Sequence, residues 1–142
     1  MRLRPSNPIN EKRPKQKNKS KWNAKRRKAE LDTLWSIRIR DRDRNCQKCG
    51  GIGGLQAAHI FSRGNLTMRW DLKNGIALCY ACHIHWGHRR PVEFTLWVIG
   101  RLGEDKFAAL KKKSQNIYDP SNFQQDFEKI KVEFETGGML EP

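Results

Sequence analysis

Two Cys-x-x-Cys pairs constrain this chain more than any other feature. The pairs are Cys46–Cys49 and Cys79–Cys82, and 29 residues separate them. The segment 46–88 holds all four cysteines and all four histidines of the protein. Each pair can turn two thiolates toward one point, and four thiolates satisfy a tetrahedral Zn²⁺ ion. The spacing therefore predicts a structural zinc site.

The expected cellular compartment indicates whether these cysteines bind zinc, form disulfides or stay free thiols. No apolar run approaches the ~20 residues needed to span a bilayer, and residues 1–10 contain no apolar signal region, so we expect a cytoplasmic protein. In a reducing cytosol, paired cysteines favour zinc over disulfides or free thiols. An alternative zinc set replaces one thiolate with His83 or His85. Because a domain of 142 residues or fewer has a small core, a bound metal would stabilise it.

The charge of the chain indicates a polyanionic partner. The formal net charge is +14, which points most simply to nucleic acid, with a merely soluble basic surface as the alternative. Residues 1–23 carry eight Lys and Arg side chains against Glu11 alone. We expect this segment to be a disordered basic arm that contacts phosphates, or otherwise a solvated tail.

Four helices are predicted outside the cysteine segment. The first starts at about Asn23, because residues 24–43 contain no Gly or Pro and have an apolar stripe at helical spacing. The others are predicted over 91–100, over 104–113 and from 119 onward. The last carries a stripe of Phe123, Phe127, Ile130 and Phe134. We expect this stripe to pack on the helix of Trp35 or that of Trp97 in a monomer, or to form a homodimer interface.

The first helix also supplies candidate DNA contacts. Arg26, Arg27 and Lys28 follow one another near its beginning, and the neighbouring arm is also basic, which favours contact with phosphates. An ordinary exposed helix face would have the same composition.

The residues between the cysteine pairs predict two strands and a helix. Leu55–Phe61 is short, apolar and bounded by glycines, which predicts a strand with His59 near its end. Asn74-Gly75 is a turn signal before a second strand, 76–79. A helix over 80–88 then carries His83.

This order resembles the HNH endonucleases of the ββα-metal type, and more closely the NinG (Rap) type of phage recombination endonuclease. The resemblance rests on Cys46-Gln47-Lys48-Cys49-Gly50, Ala57-Ala58-His59, Asn74, Cys79-x-x-Cys82-His83, and the stretch from Arg90-Pro91-Val92 to Gly103. It extends over about residues 34–136. It implies an α+β fold with a small zinc-stapled ββα-metal core (46–88) in a domain of residues 24–136, flanked by helices and followed by a tail, 137–142.

The resemblance also implies a role for each site residue. His59 would be the general base that takes a proton from the attacking water. Asn74 would hold the loop backbone and so orient His59. His83 would ligate one divalent ion, Mg²⁺ or Mn²⁺, with Arg63 or Arg69 assisting at the phosphate. Taken singly, these residues also have plain interpretations: a core histidine, a turn asparagine and a solvent-facing histidine.

Ala58 departs from the family pattern. Many HNH enzymes carry an Asp or His metal ligand immediately before the base histidine. Gln56 lies two residues earlier, on the same face of a strand, where NinG-type proteins carry an acid. Gln56, His85 and His88 are therefore the candidates for completing the set of ligands around the catalytic ion.

The resulting prediction is a metal-dependent HNH DNA endonuclease that nicks or cleaves double-stranded or branched DNA. Family resemblance suggests phage DNA processing or recombination, in the cytoplasm of a bacterial host. The alternative, which Ala58 favours, is a non-catalytic zinc-ribbon DNA-binding module, a degenerate HNH domain. An RNA-binding zinc protein is the weakest alternative because the chain lacks the surface aromatic pattern of stacking modules.

Overall fold

The computed structural model describes residues 19–137. In chain order the elements are α1 (Lys19–Asp43), β1 (Leu55–His59), a 3₁₀ turn (Leu72–Asn74), β2 (Gly75–Cys79), a π-helix (Ala81–His88), α2 (Pro91–Leu102), α3 (Glu104–Ser114), a second 3₁₀ turn (Pro120–Asn122) and α4 (Phe123–Thr136). Helices thus flank one two-stranded antiparallel sheet, which confirms the predicted α+β class.

Helix α1 begins four residues before the predicted start at Asn23. Residues 19–23, assigned to the basic arm, are therefore helical, and they lack the Gly or Pro that would stop a helix. Residues 1–18 of that arm and residues 138–142 of the expected tail lie outside the described residues. At its other end α1 stops where Arg44 turns to φ 60°, a left-handed conformation that ends many helices.

The sheet lies directly on α1. The strands pair with His59 opposite Gly75 and Leu55 opposite Cys79. A Cβ atom added at Gly75 would lie 2.5 Å from both Trp35 and Ile39 of α1. Only glycine fits here without movement of those side chains, because real Cβ contacts are not that short.

One face of the sheet packs on α1, and α4 packs on α1 in the same core. This core consists of Leu31, Trp35, Ile39, Trp70, Ala77, Phe127 and Phe134. The phenylalanine stripe of α4 therefore packs on the helix of Trp35, as one of the two predicted arrangements has it. No helix among residues 19–137 has the length and apolar character needed to cross a membrane.

The other face of the sheet packs on Cys46, on Cys82 and on residues of α2. Successive strand residues point to opposite faces, so that Ala57 and Ala77 belong to the first core while Ala58 and Ile76 belong to a second. The second core also contains Cys46 and Leu78 and is bordered by Leu55, Cys79, Cys82, Phe94 and Trp97. The buried methyl of Ala58 is thus a packing group of this second core.

The helix predicted after β2 is a π-helix. The sequence predicts that α2 ends within Gly100 to Gly103, and it ends at Leu102 with Gly103 as the C-cap, which leaves Gly100 exposed in its last turn. The tolerated helical glycine costs about 1 kcal/mol relative to alanine.

Candidate metal centre and active site

The four cysteines converge on one point at the edge of the sheet. Cys46 and Cys49 lie in the loop after α1, Cys79 ends β2, and Cys82 lies in the first turn of the π-helix. Their sulfur atoms all lie within 4.8 Å of one another. Zn–S bonds of about 2.3 Å at tetrahedral angles separate sulfurs by about 3.8 Å, and the Sγ atoms of Cys49 and Cys79 are 3.8 Å apart. The cluster can hold a metal ion, and its geometry fits zinc.

Backbone groups prepare the cluster for a cation. Burial raises the pKa of Cys46, but backbone N–H groups of Cys79, Cys49 and Lys48 outweigh it and lower that pKa to about 6. Burial and the neighbouring thiols raise the pKa of Cys82. A divalent ion would relieve the repulsion that opposes a second thiolate. No histidine belongs to this group, so the alternative set of three cysteines and one histidine is not the arrangement found.

His59 ends β1 with its two ring nitrogens in different environments. Its Nε2 atom lies 2.8 Å from the carbonyl oxygen of Arg69. Because a carbonyl only accepts hydrogen bonds, Nε2 must carry the proton, and in the neutral ring Nδ1 then keeps a free lone pair. The ring also stacks on Trp35, with centroids 3.9 Å apart and planes 11° apart. The imidazole is therefore held in one orientation with one nitrogen able to accept a proton.

The surroundings of His59 keep its ring neutral. Burial has the largest effect and lowers the pKa of His59; the Arg69 carbonyl and Asp32 raise that pKa in part, and the smaller effects of the Arg69 and Arg63 charges lower it again. A neutral ring at pH 7 is the form that can act as a base.

Asn74 joins both ends of the loop between the strands. Its side chain is fully buried. Its Oδ1 accepts from the N–H of Phe61 at 2.7 Å, and its Nδ2 donates to the carbonyls of Phe61 and Met68 at 3.0 Å each. The Asn74 amide accepts one hydrogen bond and donates two. An aspartic acid side chain of the same size could not replace it, because it has at most one donor.

The π-helix brings His83 and His88 side by side. Their ring centroids are 4.6 Å apart. In an α-helix two residues five positions apart point about 140° away from each other, whereas a π-helix places residues i and i+5 in register. The Nδ1 atom of His83 also contacts Oε1 of Gln56 at 2.9 Å. His85 is exposed and packs edge-on against Tyr80 instead.

His83 is available as a metal ligand in its neutral form. Burial lowers the pKa of His83, and the charges that His88 and His59 can carry lower it further. In residues 19–137 no second group of three His, Cys, Asp or Glu ligand atoms is as closely clustered as the four cysteines.

The basic residues predicted to contact DNA fall into two groups. Arg26 and Arg63 are exposed. The others pack within the protein: the Arg27 guanidinium lies 5.4 Å from the Phe127 ring centroid, the Lys28 ammonium lies 5.5 Å from the Phe123 ring centroid, and Arg69 pairs with Asp32 at 2.6 Å.

Sequence reasoning did not find the residues of α1 that surround His59. The sequence shows Trp35 in the apolar stripe of the first helix and gives no separate signal for Asp32, except that Asp32 is an acidic side chain within a strongly basic helix, one turn before the tryptophan.

Fold and site together define a small α+β domain in which a sheet of two strands carries a histidine at the end of the first strand and a cysteine cluster at the end of the second. Residues 39–91, from the end of α1 to the start of α2, match the family model described as HNH endonuclease. No curated protein and no solved structure matches the chain. The family match supports nuclease activity on phosphodiester bonds in general.

Proposed function

We propose that this protein is a metal-dependent DNA endonuclease in which His59 is the general base. The observation that carries the proposal is the state of the His59 ring: Nε2 is bonded to the Arg69 carbonyl at 2.8 Å, which leaves Nδ1 to accept a proton. The HNH match over residues 39–91 supports it, as does the net charge of +14, which suits a polyanionic substrate.

Each residue of the proposed site then has a defined task. Nδ1 of His59 takes a proton from the water that attacks the phosphodiester. Asn74 holds the loop whose Arg69 carbonyl orients His59, and it does not contact the substrate. We assign the phosphate contact to Arg63, which is exposed, because the Arg69 guanidinium is paired with Asp32.

The catalytic ion would be held by the π-helix. His83 and His88 supply two adjacent imidazoles, and the Gln56 oxygen accepts from Nδ1–H of His83, the contact by which outer groups orient a ligating histidine. His83 would then coordinate through Nε2. A bound divalent ion polarises the phosphate and stabilises the leaving oxygen. Imidazole ligands favour Mn²⁺ over Mg²⁺, and we assign Zn²⁺ to the cysteine cluster.

Cleavage of supercoiled plasmid with Mn²⁺, with Mg²⁺ or with EDTA tests the proposal. We expect open circles or linear DNA only with a divalent ion. His59→Ala should abolish cleavage while retaining DNA affinity, and His83→Ala should do the same. His88→Ala should raise the Mn²⁺ concentration required, whereas His85→Ala should leave it unchanged, because the His85 ring faces Tyr80.

Absence of cleavage would favour the second candidate, a DNA-binding module without catalysis. The observation behind it is Ala58, which is buried and offers no ligand atom where many HNH enzymes have one. A parent protein that shifts DNA with Mn²⁺ present but never cuts it, whether linear or branched, would establish that function and refute ours.

The finer assignments are also proposals. We infer a role in phage DNA processing or recombination and a cytoplasmic location from the family resemblance. Comparing cleavage of a four-way junction with that of a linear duplex of the same sequence tests the preference for branched DNA. Sedimentation of the zinc-loaded protein decides between monomer and homodimer.

A further inference from the structure

The orientation of His59 depends on where the Arg69 carbonyl lies. That carbonyl belongs to the loop between β1 and β2, and loop backbone without outside contacts does not hold an acceptor in place. His59 and Arg69 are ten residues apart, so the strand alone cannot fix their relation. Asn74 holds the neighbouring Met68 carbonyl, and a second contact, from outside the loop, holds Arg69 itself.

Asp32 of α1 makes this second contact. Its Oδ1 accepts from Nε of Arg69 at 2.8 Å and from the indole N–H of Trp70 at 2.9 Å. Its Oδ2 accepts from Nη2 of Arg69 at 2.6 Å. A carboxylate that binds a guanidinium through both oxygens fixes distance and direction together. Two consecutive loop residues are thereby tied to one side chain.

Trp35 completes the attachment one turn further along α1. Residues three apart lie on the same helix face, and Trp35 donates its indole N–H to the carbonyl of Asp71 at 3.0 Å while its ring covers that of His59. The loop residues 69–71 and the His59 ring are thus both held by one face of α1.

We propose that Asp32 is a positioning residue for the His59 base, acting through the Arg69 side chain on the Arg69 carbonyl. The proposal rests on the proposed function of His59. It assigns the Arg69 guanidinium to loop geometry instead of to the DNA phosphate, which makes α1 a part of the active site without contact with the substrate.

Asp32→Asn is the principal test. Asparagine keeps one acceptor oxygen but turns an NH₂ group toward Arg69 or Trp70, so the bidentate contact with the Arg69 guanidinium is lost. In zinc-loaded protein we expect the single-turnover cleavage rate at saturating enzyme to fall by about 10- to 100-fold, with DNA affinity retained. Asp41→Asn is the matched control: it makes the same change of charge on an exposed residue of the same helix, and its rate should equal the parent's.

A double-mutant cycle tests the route through Arg69. Arg69→Met breaks the bonds between Arg69 and Asp32 from the loop side. The variant carrying both changes should therefore cleave no more slowly than the slower of the two single variants. Multiplying rate losses would overturn the proposal. So would weaker DNA binding by Arg69→Met with a salt dependence reduced by about one phosphate contact, since that would make Arg69 a DNA ligand.

A readout without DNA separates this proposal from the proposed function. Nitrogen NMR of the histidine rings, with His59→Ala identifying the signals, should show Nε2–H as the His59 tautomer in the parent and in Asp41→Asn. Asp32→Asn and Arg69→Met should both show a mixture of tautomers or faster exchange of that proton. An unchanged His59 spectrum in both variants would refute the positioning role even if the parent cleaves DNA. A changed spectrum would support the role even if it does not.

Discussion

Gly75 lies opposite His59 in the sheet, and replacing it with alanine is expected to destabilise the protein. The added Cβ would lie 2.5 Å from Cζ2 of Trp35 and 2.5 and 2.7 Å from the Cδ1 and Cγ1 atoms of Ile39. Ile39 can change rotamer, but the buried Trp35 ring cannot move without leaving the His59 ring on which it stacks.

Two opposing effects determine the magnitude. Overfilling a packed core costs about 1–3 kcal/mol. Gly75 has an extended backbone, φ −121°, which alanine adopts without strain, so the smaller entropy of the unfolded chain returns about 0.4–1 kcal/mol. The net loss therefore lies between about 0 and 2.6 kcal/mol, and the two contacts of 2.5 Å put the expected value in the upper half of that range. DNA cleavage should also be slower, because the displaced Trp35 no longer fixes the ring of His59.

Gly100→Ala is the control and should change stability in the opposite direction. Gly100 lies exposed within α2, and a Cβ there would meet no atom within 4 Å. Alanine should stabilise the helix by about 0.5–1 kcal/mol. Urea unfolding of the two zinc-loaded variants measures both values from the shift in midpoint. If Gly75→Ala were as stable as the parent while Gly100→Ala gained stability, close packing would not be the reason for glycine beside His59.

Three further predictions concern the metal, the loop and pH. Metal analysis should find about one tightly held zinc per chain, and Cys79→Ser should lower the melting temperature; a zinc-free chain of unchanged stability would contradict this. Asn74→Ala should cost about 2–4 kcal/mol in urea unfolding because it leaves buried loop groups unpaired, whereas the exposed Asn116→Ala should cost little. Because burial lowers the pKa of His59, cleavage should rise with pH through a midpoint below about 6.5. The stabilising effect of this neutral ring is present above about pH 6.5 and is lost as the pH falls through the folded-state pKa. A rate midpoint above that value would show a different base.

Most of the fold follows from periodicity and local motifs. The apolar stripes of α1 and α4 and the short strands beside Asn74 are local signals, and the structure has each of them. The π-helix could not be foreseen, because eight residues contain too few turns for a period of 4.4 to be distinguished from one of 3.6. The sequence therefore leaves His88 as one of three candidates, with Gln56 and His85, and does not predict its contact with His83.

The partners of His59 could not be predicted for a different reason. Asp32 and Arg69 are 37 residues apart, and their meeting depends on how α1 crosses the sheet. A charged pair between a basic helix and a polar loop has no distinctive sequence pattern. The four cysteines did have such a pattern, because metal chemistry fixes both residue type and spacing.

The two cores give the active site two separate supports. His59 is held from the α1 face of the sheet, through Trp35 and the loop, whereas His83 follows Cys82 in the π-helix on the opposite face. Loss of zinc should therefore first disturb His83 and its contact with Gln56, while changes in α1 should first disturb His59. If His59 and His83 act together as proposed, cleavage requires both supports at once, and zinc bound by the four cysteines would then affect catalysis as well as the stability of so small a domain.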